Sequence, residues 1–227
     1  MKPYFEEDGI TIYHGDCREV LPTLDRPDVV IADPPYGEQT HAGAQSQTAG
    51  IGNPFIDFEP INVASLIEIL DICNPLRWCV ITCDWKHVLP ISERCSLRFV
   101  RMGVWVKPDG CPQFTGDRPA MGWEAVAILH GKDIPLRWNN GGQRAVWTHY
   151  VGRGNEHPTT KPHGLIADFI GAFSESSEVI LDPFMGSGTT LRAAKDLGRR
   201  AIGIEIEEKY CEIAAKRLSQ KVFQFNA

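Results

Sequence analysis

The sequence predicts an α/β protein with a parallel sheet at its centre. Residues 29–32, Val-Val-Ile-Ala, are a short β-branched run, typical of a strand buried on both faces of a parallel sheet. Along the chain, strand-like stretches alternate with stretches whose apolar residues recur at helical spacing. The last third repeats this alternation around a glycine-rich turn at 182–190. In such folds ligands bind at the carboxyl ends of the strands, so both turns are candidate sites.

The first half of the chain supplies strands, helices and two long loops. We predict strands at 9–14, 29–32, 78–82, 98–106 and 123–129, and helices at 18–24, 61–73 and 85–95. Because only a loop separates 98–106 from 123–129, these two strands are expected to form an antiparallel hairpin. Residues 37–60 lack periodicity and directly follow the first candidate turn, which favours a lid. Residues 132–163 are expected to be a surface excursion and not a core element.

The last third completes the pattern. We predict helices at 164–173, 191–197 and 207–221, and strands at 179–181 and 201–204.

Composition indicates one ordinary globular domain. The chain has 227 residues, of which 43% are apolar and 23% are charged. No apolar run approaches the roughly 18 residues of a membrane span, and the charged start lacks the pattern of a signal peptide, so a cytoplasmic location is expected. The seven cysteines contain no Cys-x-x-Cys, which argues against a disulfide framework and a zinc ribbon; reduced cysteines and no metal are expected.

The first candidate site is Asp-Pro-Pro-Tyr at 33–36, directly after the buried strand. The two prolines stiffen the backbone, because proline fixes its own φ angle and restricts the residue before it. The Asp33 carboxylate and the Pro34 carbonyl are then two acceptors beside the aromatic ring of Tyr36. This arrangement suits a flat ring with an exocyclic amine. The alternative is a strand that simply ends in a Pro-Pro turn with a surface tyrosine.

The second candidate site is the turn Asp-Pro-Phe-Met-Gly-Ser-Gly-Thr-Thr at 182–190. Glycines between a strand and a helix let the backbone approach a ligand at the positive end of the helix dipole. Glu205 follows the next strand, where an acidic residue can bind ribose hydroxyls. The order favours a nucleoside-bearing cofactor, and the absence of Gly-x-x-x-x-Gly-Lys-Ser/Thr disfavours a phosphate-binding P-loop.

Taken together, the two motifs resemble those of S-adenosylmethionine-dependent DNA amino-methyltransferases. The catalytic motif precedes the cofactor motif, as in the permuted arrangement called the β class. Further similar stretches are Gly-Asp-Cys at 15–17, Trp-Val-Lys-Pro at 105–108 with Arg118 and Glu124 after it, His-Pro-Thr-Thr-Lys-Pro at 157–162, and Gly-Ile-Glu at 203–205. The resemblance covers about residues 10–218. It implies a Rossmann-like fold with a seven-stranded, mostly parallel sheet, one antiparallel strand and helices on both faces.

The resemblance also implies the roles of individual residues. The catalytic set would be Asp33, Pro34, Pro35 and Tyr36. The cofactor set would be Asp16, Cys17, Thr159, Lys161, Asp182, Phe184, Gly186, Gly188, Thr189, Glu205 and Ile206. Within it, Glu205 would bind the ribose and Asp16 the adenine amine. Lys161 has an alternative as a surface lysine, and Cys17 and Ile206 have one as plain core residues.

Basic and aromatic residues in the middle of the chain suggest where DNA binds. Net charge is −6, yet residues 77–163 carry 12 basic and 7 acidic side chains, whereas residues 1–76 carry 3 and 13. We therefore expect double-stranded DNA contacts in small loops at about 107–122 and 131–156, between a catalytic half (1–106) and a cofactor-binding half (157–227). The candidate contacts are Lys107, Arg118 and Arg144, with Trp138, Trp147 and Tyr150 nearby. A solvated surface with the aromatics folded inward is the alternative.

The target base and the activity leave alternatives open. By the resemblance, Asp-Pro-Pro-Tyr favours the N6 amine of adenine, whereas Ser-Pro-Pro-Tyr is commoner for the N4 amine of cytosine. An inactive DNA-binding relic is a further alternative, against which the intact Asp33, Gly186, Gly188 and Glu205 argue. Little chain remains beyond the catalytic core, which suggests a short target sequence or help from a second subunit, as in a homodimer.

Overall fold

The computed structural model describes residues 1–35, 61–110, 112–113, 115–151 and 161–220. Three parts of the expected site lie outside the described residues: Tyr36, the expected lid at 37–60, and Thr159 in the segment 152–160. Among the helices that are described, none is long and apolar enough to cross a membrane.

The centre of the molecule is one sheet of nine strands in the described part of the chain. The strands are β1 (Phe5–Glu7), β2 (Ile10–His14), β3 (Val29–Ala32), β4 (Trp78–Cys83), β5 (Arg98–Val106), β6 (Trp123–His130), β7 (Val146–Thr148), β8 (Val179–Asp182) and β9 (Arg200–Glu205). Their order across the sheet is β1-β2-β9-β8-β3-β4-β6-β5-β7. Of these nine strands, β1 and β6 are antiparallel to the other seven. The carboxyl ends of those seven strands therefore lie at one edge of the sheet, which we call the carboxyl edge.

Six α-helices in the described ranges cover the two faces of this sheet. They are α1 (Cys17–Val20, continued by a 3₁₀ turn at Leu21–Thr23), α2 (Val63–Cys73), α3 (Trp85–Arg94), α4 (His163–Phe173), α5 (Thr189–Asp196) and α6 (Glu208–Leu218). Helices α1 to α3 pack on one face and α4 to α6 on the other, each with its own apolar cluster. Because successive strand residues point to opposite faces, Val29 and Ile31 of β3 join one cluster and Val30 and Ala32 the other. All four are buried, as their unbroken apolar run predicts.

The α/β class, the mostly parallel sheet and the β5–β6 antiparallel hairpin are confirmed. The number of strands is not seven, because two short edge strands extend the expected sheet. β1 was not predicted, since two of its three residues are acidic and partly solvated, as an edge strand permits.

The expectation for 132–163 was wrong in part, because this stretch contains β7. Val146–Thr148 pairs in parallel with the end of β5. Trp147 is buried against Phe169 at a ring separation of 4.9 Å, and Trp138 contacts Phe173 at the same separation. Two of the three aromatics expected on a DNA-facing surface therefore belong to the core, while Tyr150 is exposed.

Candidate active site

Acidic residues gather at the carboxyl edge, because each follows or ends a neighbouring strand. Asp33 comes directly after β3, Asp182 ends β8 and Glu205 ends β9. β3 pairs with β8 and β8 pairs with β9, so the three lie on consecutive strands. Asp16 follows β2, which pairs with β9 on its other side. The structure thus brings the two sequence motifs together at one edge of the sheet.

Two side chains of the described residues, Thr82 and Lys161, contact the Oδ1 atom of Asp33. The Thr82 hydroxyl donates to Oδ1 at 2.6 Å, and the Lys161 ammonium lies 2.8 Å from it. The Asp33 side chain is 29% exposed and that of Lys161 is 11% exposed. Burial raises the pKa of Asp33, the charge of Lys161 opposes this, and the negative charge of Glu124 adds to it.

Lys161 belongs to a chain of alternating charges. Its Nζ also lies 3.2 Å from Oε2 of Glu124, whose other oxygen pairs with Lys107. Both ammonium groups lie near the face of the buried Trp105 ring, Lys107 at 4.6 Å and Lys161 at 5.8 Å from its centroid. Glu124 stands opposite Trp105 in the β5–β6 register, so strand pairing fixes its place. Four charged side chains thereby lie in sequence from the loop after β5 to Asp33.

The two prolines after Asp33 differ in their backbone contacts. The Pro35 carbonyl accepts a hydrogen bond from the Ile61 amide at 2.8 Å, which anchors the start of α2 beside the motif. Within the described part of the chain the buried Pro34 carbonyl accepts no backbone hydrogen bond. A buried acceptor of this kind needs a partner, and an exocyclic amine beside Asp33 is one group that could supply it.

The turn between β8 and α5 has the backbone of a ligand-facing loop. Gly186 has a φ angle of 51° and Gly188 one of 80°, a region that residues with a Cβ atom adopt at a cost. A Cβ placed on Gly188 would come within 2.9 Å of the Ala214 side chain, whereas one placed on Gly186 would meet no described atom within 4 Å. Gly188 is therefore needed for packing, and Gly186 borders open space. Thr189, which is buried, begins α5.

Glu205 is held rigidly beside this turn. Its Oε2 accepts the Gly186 amide and its Oε1 accepts the Glu207 amide, each at 2.9 Å. The residue is 8% exposed. Burial raises the pKa of Glu205, and the backbone hydrogen bonds from Glu207 and Gly186 hold it down. A carboxylate oxygen has more than one lone pair, so both oxygens can still accept ribose hydroxyls.

Asp182 is the most buried of the three acids. Its Oδ1 accepts the Phe184 amide at 3.0 Å, which shapes the start of the glycine turn. Burial raises the pKa of Asp182 to about 7, and the negative charges of Asp33 and Glu205 act in the same direction. The negative charge of the ionised acids at this edge favours a cation. The positively charged sulfur of S-adenosylmethionine fits this electrostatic environment.

Asp16, Cys17, Phe184 and Ile206, further members of the expected cofactor set that the structure describes, lie near the same edge and differ in how far their side chains are already engaged. Asp16 caps α1 through the Arg18 amide and pairs with the Arg18 guanidinium. Its carboxylate is already engaged and would have to accept an adenine amine in addition. Cys17 is buried, and burial raises the pKa of its thiol to about 11, so it can contribute surface but not a thiolate. Ile206 is exposed and Phe184 is half-buried, which leaves apolar surface next to Glu205.

The expected DNA contacts do not lie together. Arg118 is 67% exposed in the loop between β5 and β6, which emerges at the carboxyl edge, and it pairs with Asp117. Lys107, in the same loop, is mostly buried in its pair with Glu124. Arg144 precedes β7, and this end of β7 points away from the carboxyl edge. Arg118 is thus the best placed of the three.

Sequence reasoning missed the role of Thr82 beside Asp33 and gave no role to Glu124. A signal for both existed. Thr82 is the last residue of the strand predicted at 78–82, and Glu124 is the second residue of the strand predicted at 123–129, so each lies at the edge where Asp33 lies. The register that brings them into contact depends on the folded sheet.

Comparisons with known proteins point to one family. A family model described as DNA methylase matches residues 27–216. The type II methyltransferase M2.LlaDCHI of Lactococcus lactis subsp. cremoris is 28% identical over 254 residues, which cover 96% of this chain and 93% of the relative. M.HinfI of Haemophilus influenzae, also a type II methyltransferase, is 28% identical over 92% of this chain and 68% of its own.

Solved structures agree. The complex of M1.HpyAVI with SAM is 26% identical and superposes with a TM-score of 0.72, covering 93% of this chain and 100% of that chain. The PvuII DNA methyltransferase, described as cytosine-N4-specific, has a TM-score of 0.77 and covers 98% of this chain and 91% of that one. Its identity of 15% means that this likeness shows the fold alone.

Proposed function

Because the chain belongs to the DNA methylase family and is an S-adenosylmethionine-dependent DNA methyltransferase, we propose that it methylates the N6 amine of adenine in double-stranded DNA. The observation that carries the proposal is the pair of acceptors at the end of β3. Asp33 and Pro34 follow β3 directly, at the carboxyl edge where the glycine turn and Glu205 also lie. Two acceptors match the two N–H groups of an exocyclic amine.

The residues at the end of β3 supply what a weak nucleophile lacks. The lone pair of an aromatic amine is delocalised into its ring, so the nitrogen attacks poorly. When Asp33 and the Pro34 carbonyl accept the two N–H bonds, electron density on nitrogen rises and its lone pair is held in one direction. S-adenosylmethionine, when bound, supplies a methyl group on a positively charged sulfur. As nitrogen gains the methyl it must lose one proton, and Asp33 is the base in contact with that proton. The expected gain comes from positioning and electrostatics.

The cofactor is proposed to lie along the carboxyl edge from Gly186 to Asp16. Glu205, fixed by the two backbone amides, would bind the ribose hydroxyls. Gly186 would let the backbone approach the methionine portion, with Phe184, Gly188 and Thr189 beside it. Asp16 would reach the adenine amine, and Cys17 and Ile206 would flank the ring. Lys161, expected from the resemblance to bind the cofactor, is instead in contact with Asp33, which supports a role nearer to the target amine.

The target amine is inaccessible inside a duplex, so the base must be flipped out. Tyr36 is the proposed stacking partner and lies outside the described residues. Arg118 is the proposed phosphate or base contact at the carboxyl edge, with Lys107 and Arg144 as the remaining candidates. A further expectation is a homodimer in which both subunits contact the DNA.

The test is a methylation assay followed by nucleoside analysis. Purified protein is incubated with duplex DNA and S-adenosylmethionine carrying a labelled methyl group, the DNA is digested to nucleosides, and the labelled nucleoside is identified by mass. N6-methyladenine is the expected product. Labelled N4-methylcytosine would move the assignment to the other amine, and no label in either nucleoside would contradict the proposed activity. An Asp33→Ala preparation is the control for contaminating methyltransferases.

A further inference from the structure

The two oxygens of the Asp33 carboxylate are not equivalent. Oδ1 accepts the Thr82 hydroxyl at 2.6 Å and lies 2.8 Å from the Lys161 ammonium. The described contacts of Thr82 and Lys161 with Asp33 thus end on the same oxygen. Thr82 is 1% exposed, whereas Asp33 retains access to solvent. Oδ1 is therefore the oxygen that the buried Thr82 hydroxyl holds in place.

We propose that Thr82 is a positioning residue for methyl transfer, whose hydroxyl fixes Oδ1 of Asp33 so that Oδ2 is the oxygen presented to the target amine. This inference rests on the proposed function. Lys161 supports the same orientation from the side of Glu124. Thr82 does not touch the base in this assignment, and it acts through Asp33.

Strand pairing explains why Thr82 is suited to this role. Ala32 of β3 stands opposite Ile81 of β4, so the next residue of each strand, Asp33 and Thr82, lies at the same level of the sheet. A β-branched side chain on a strand has few χ1 rotamers, so its hydroxyl is fixed in direction. A buried hydroxyl needs a partner, and here the partner is the carboxylate itself.

A fixed carboxylate has two consequences for the reaction. A carboxylate free to rotate would offer either oxygen in many directions, and a small misplacement of a reacting group is costly in rate. The hydroxyl also stabilises the ionised form of Asp33, which must accept the N–H bond. The other groups that act on Asp33 electrostatically are Lys161, Glu124, Asp182 and the Cys83 thiol. All of them remain when the Thr82 hydroxyl is removed.

The experiment compares Thr82→Val, which keeps the shape without the hydroxyl, with Thr82→Ser, which keeps the hydroxyl. Thr23→Val is the matched control, because the Thr23 hydroxyl donates to the Val20 carbonyl at 2.7 Å in the 3₁₀ turn, away from Asp33. We expect Thr82→Val to lower kcat about tenfold to a hundredfold, as for loss of a hydrogen bond to a charged group. The Kd for S-adenosylmethionine, the KM for DNA and the Tm should stay close to those of the wild type. Thr82→Ser should recover most of the activity.

The pH profile separates positioning from a general structural role. Since the Thr82 hydroxyl lowers the pKa of Asp33, its removal should move the acidic limb of kcat to higher pH, and Thr23→Val should leave the limb in place. A wild-type kcat and pH profile in Thr82→Val would overturn the inference. Equal losses in Thr82→Val and Thr82→Ser, accompanied by a lower Tm, would also overturn it and assign Thr82 to packing alone.

A second measurement does not depend on turnover. The pKa of the Asp33 carboxyl can be followed by carbon-13 NMR in the wild type and in both Thr82 variants. A higher pKa in Thr82→Val than in Thr82→Ser is expected, and identical values would overturn the inference. If the wild type methylates neither base, the proposed function fails, and the NMR titration still decides whether Thr82 holds Oδ1.

Discussion

Gly186→Ala tests whether the cofactor lies against Gly186. Gly198→Ala is its control, because Gly198 also has a positive φ angle but lies away from the candidate site. Gly186 has a φ angle of 51° and Gly198 one of 66°, and a Cβ on either would meet no described atom within 4 Å. Each alanine variant should therefore lose about 1–2 kcal/mol of stability from left-handed strain alone. In a domain of this size each kcal/mol lowers the Tm by about 2–4 °C.

The two variants should differ in their affinity for S-adenosylmethionine. If the cofactor lies against Gly186, the added methyl group overpacks the site, which typically costs about 1–3 kcal/mol, or about fivefold to a hundredfold in Kd. Gly198 follows α5 at the opposite end of the sheet from Glu205, so its variant should bind with wild-type affinity. Calorimetric titration of each variant gives the Kd, and thermal denaturation gives the Tm. Equal affinities in the two variants would refute placement of the cofactor against Gly186.

Four further outcomes are expected. Asp33→Ala should abolish methylation, with a loss on the order of 3 kcal/mol or more in transition-state stabilisation, while cofactor affinity by calorimetry stays near the wild type. Glu205→Ala should weaken cofactor binding about tenfold to a hundredfold through lost hydrogen bonds to a charged group, and an unchanged Kd would remove the ribose assignment. Lys161→Met should move the acidic limb of kcat to higher pH, because the Lys161 ammonium lowers the pKa of Asp33 and keeps the carboxylate ionised further into acid; a limb that stays in place would contradict this. Arg118→Ala should weaken DNA binding and reduce its salt dependence by about one unit, whereas Arg144→Ala, at the far end of β7, should change both less; the reverse order would relocate the DNA surface.

The position of the site could be predicted because it depends on strand ends. Asp33, the glycine turn and Glu205 each follow an apolar run of strand length, and parallel strands bring their carboxyl ends to one edge whatever their order. The number of strands was underestimated because the two missed strands are very short. β1 and β7 have three residues each, too few for periodicity to separate them from loop, and pairing with a longer neighbour creates them.

The side-chain contacts around Asp33 depend on the register of the paired strands, which the local sequence pattern does not determine. Thr82 meets Asp33 through the β3–β4 pairing, and Glu124 meets Lys161 through the β5–β6 pairing. The resemblance implies that Lys161, in the motif at 157–162, binds the cofactor. In the folded protein the lysine reaches Asp33, on a strand that lies two positions from the Glu205 strand in the sheet.

These contacts also suggest that the acids of the site serve two functions, one toward the target amine and one toward the cofactor. Asp33 and Glu124 alternate with Lys161 and Lys107, so this group of four is close to neutral and Asp33 can remain ionised in spite of its burial. Asp182 and Glu205 have no lysine or arginine among their described contacts; backbone amides donate to both, and the Thr190 side chain also donates to Asp182. We therefore expect a cationic cofactor to be attracted chiefly by Glu205 and by the ionised fraction of Asp182, while Asp33, whose charge Lys161 balances, serves the amine. Once the methyl group has left, the cofactor product is neutral at sulfur, and the same two acids should hold it less tightly, which would favour its release.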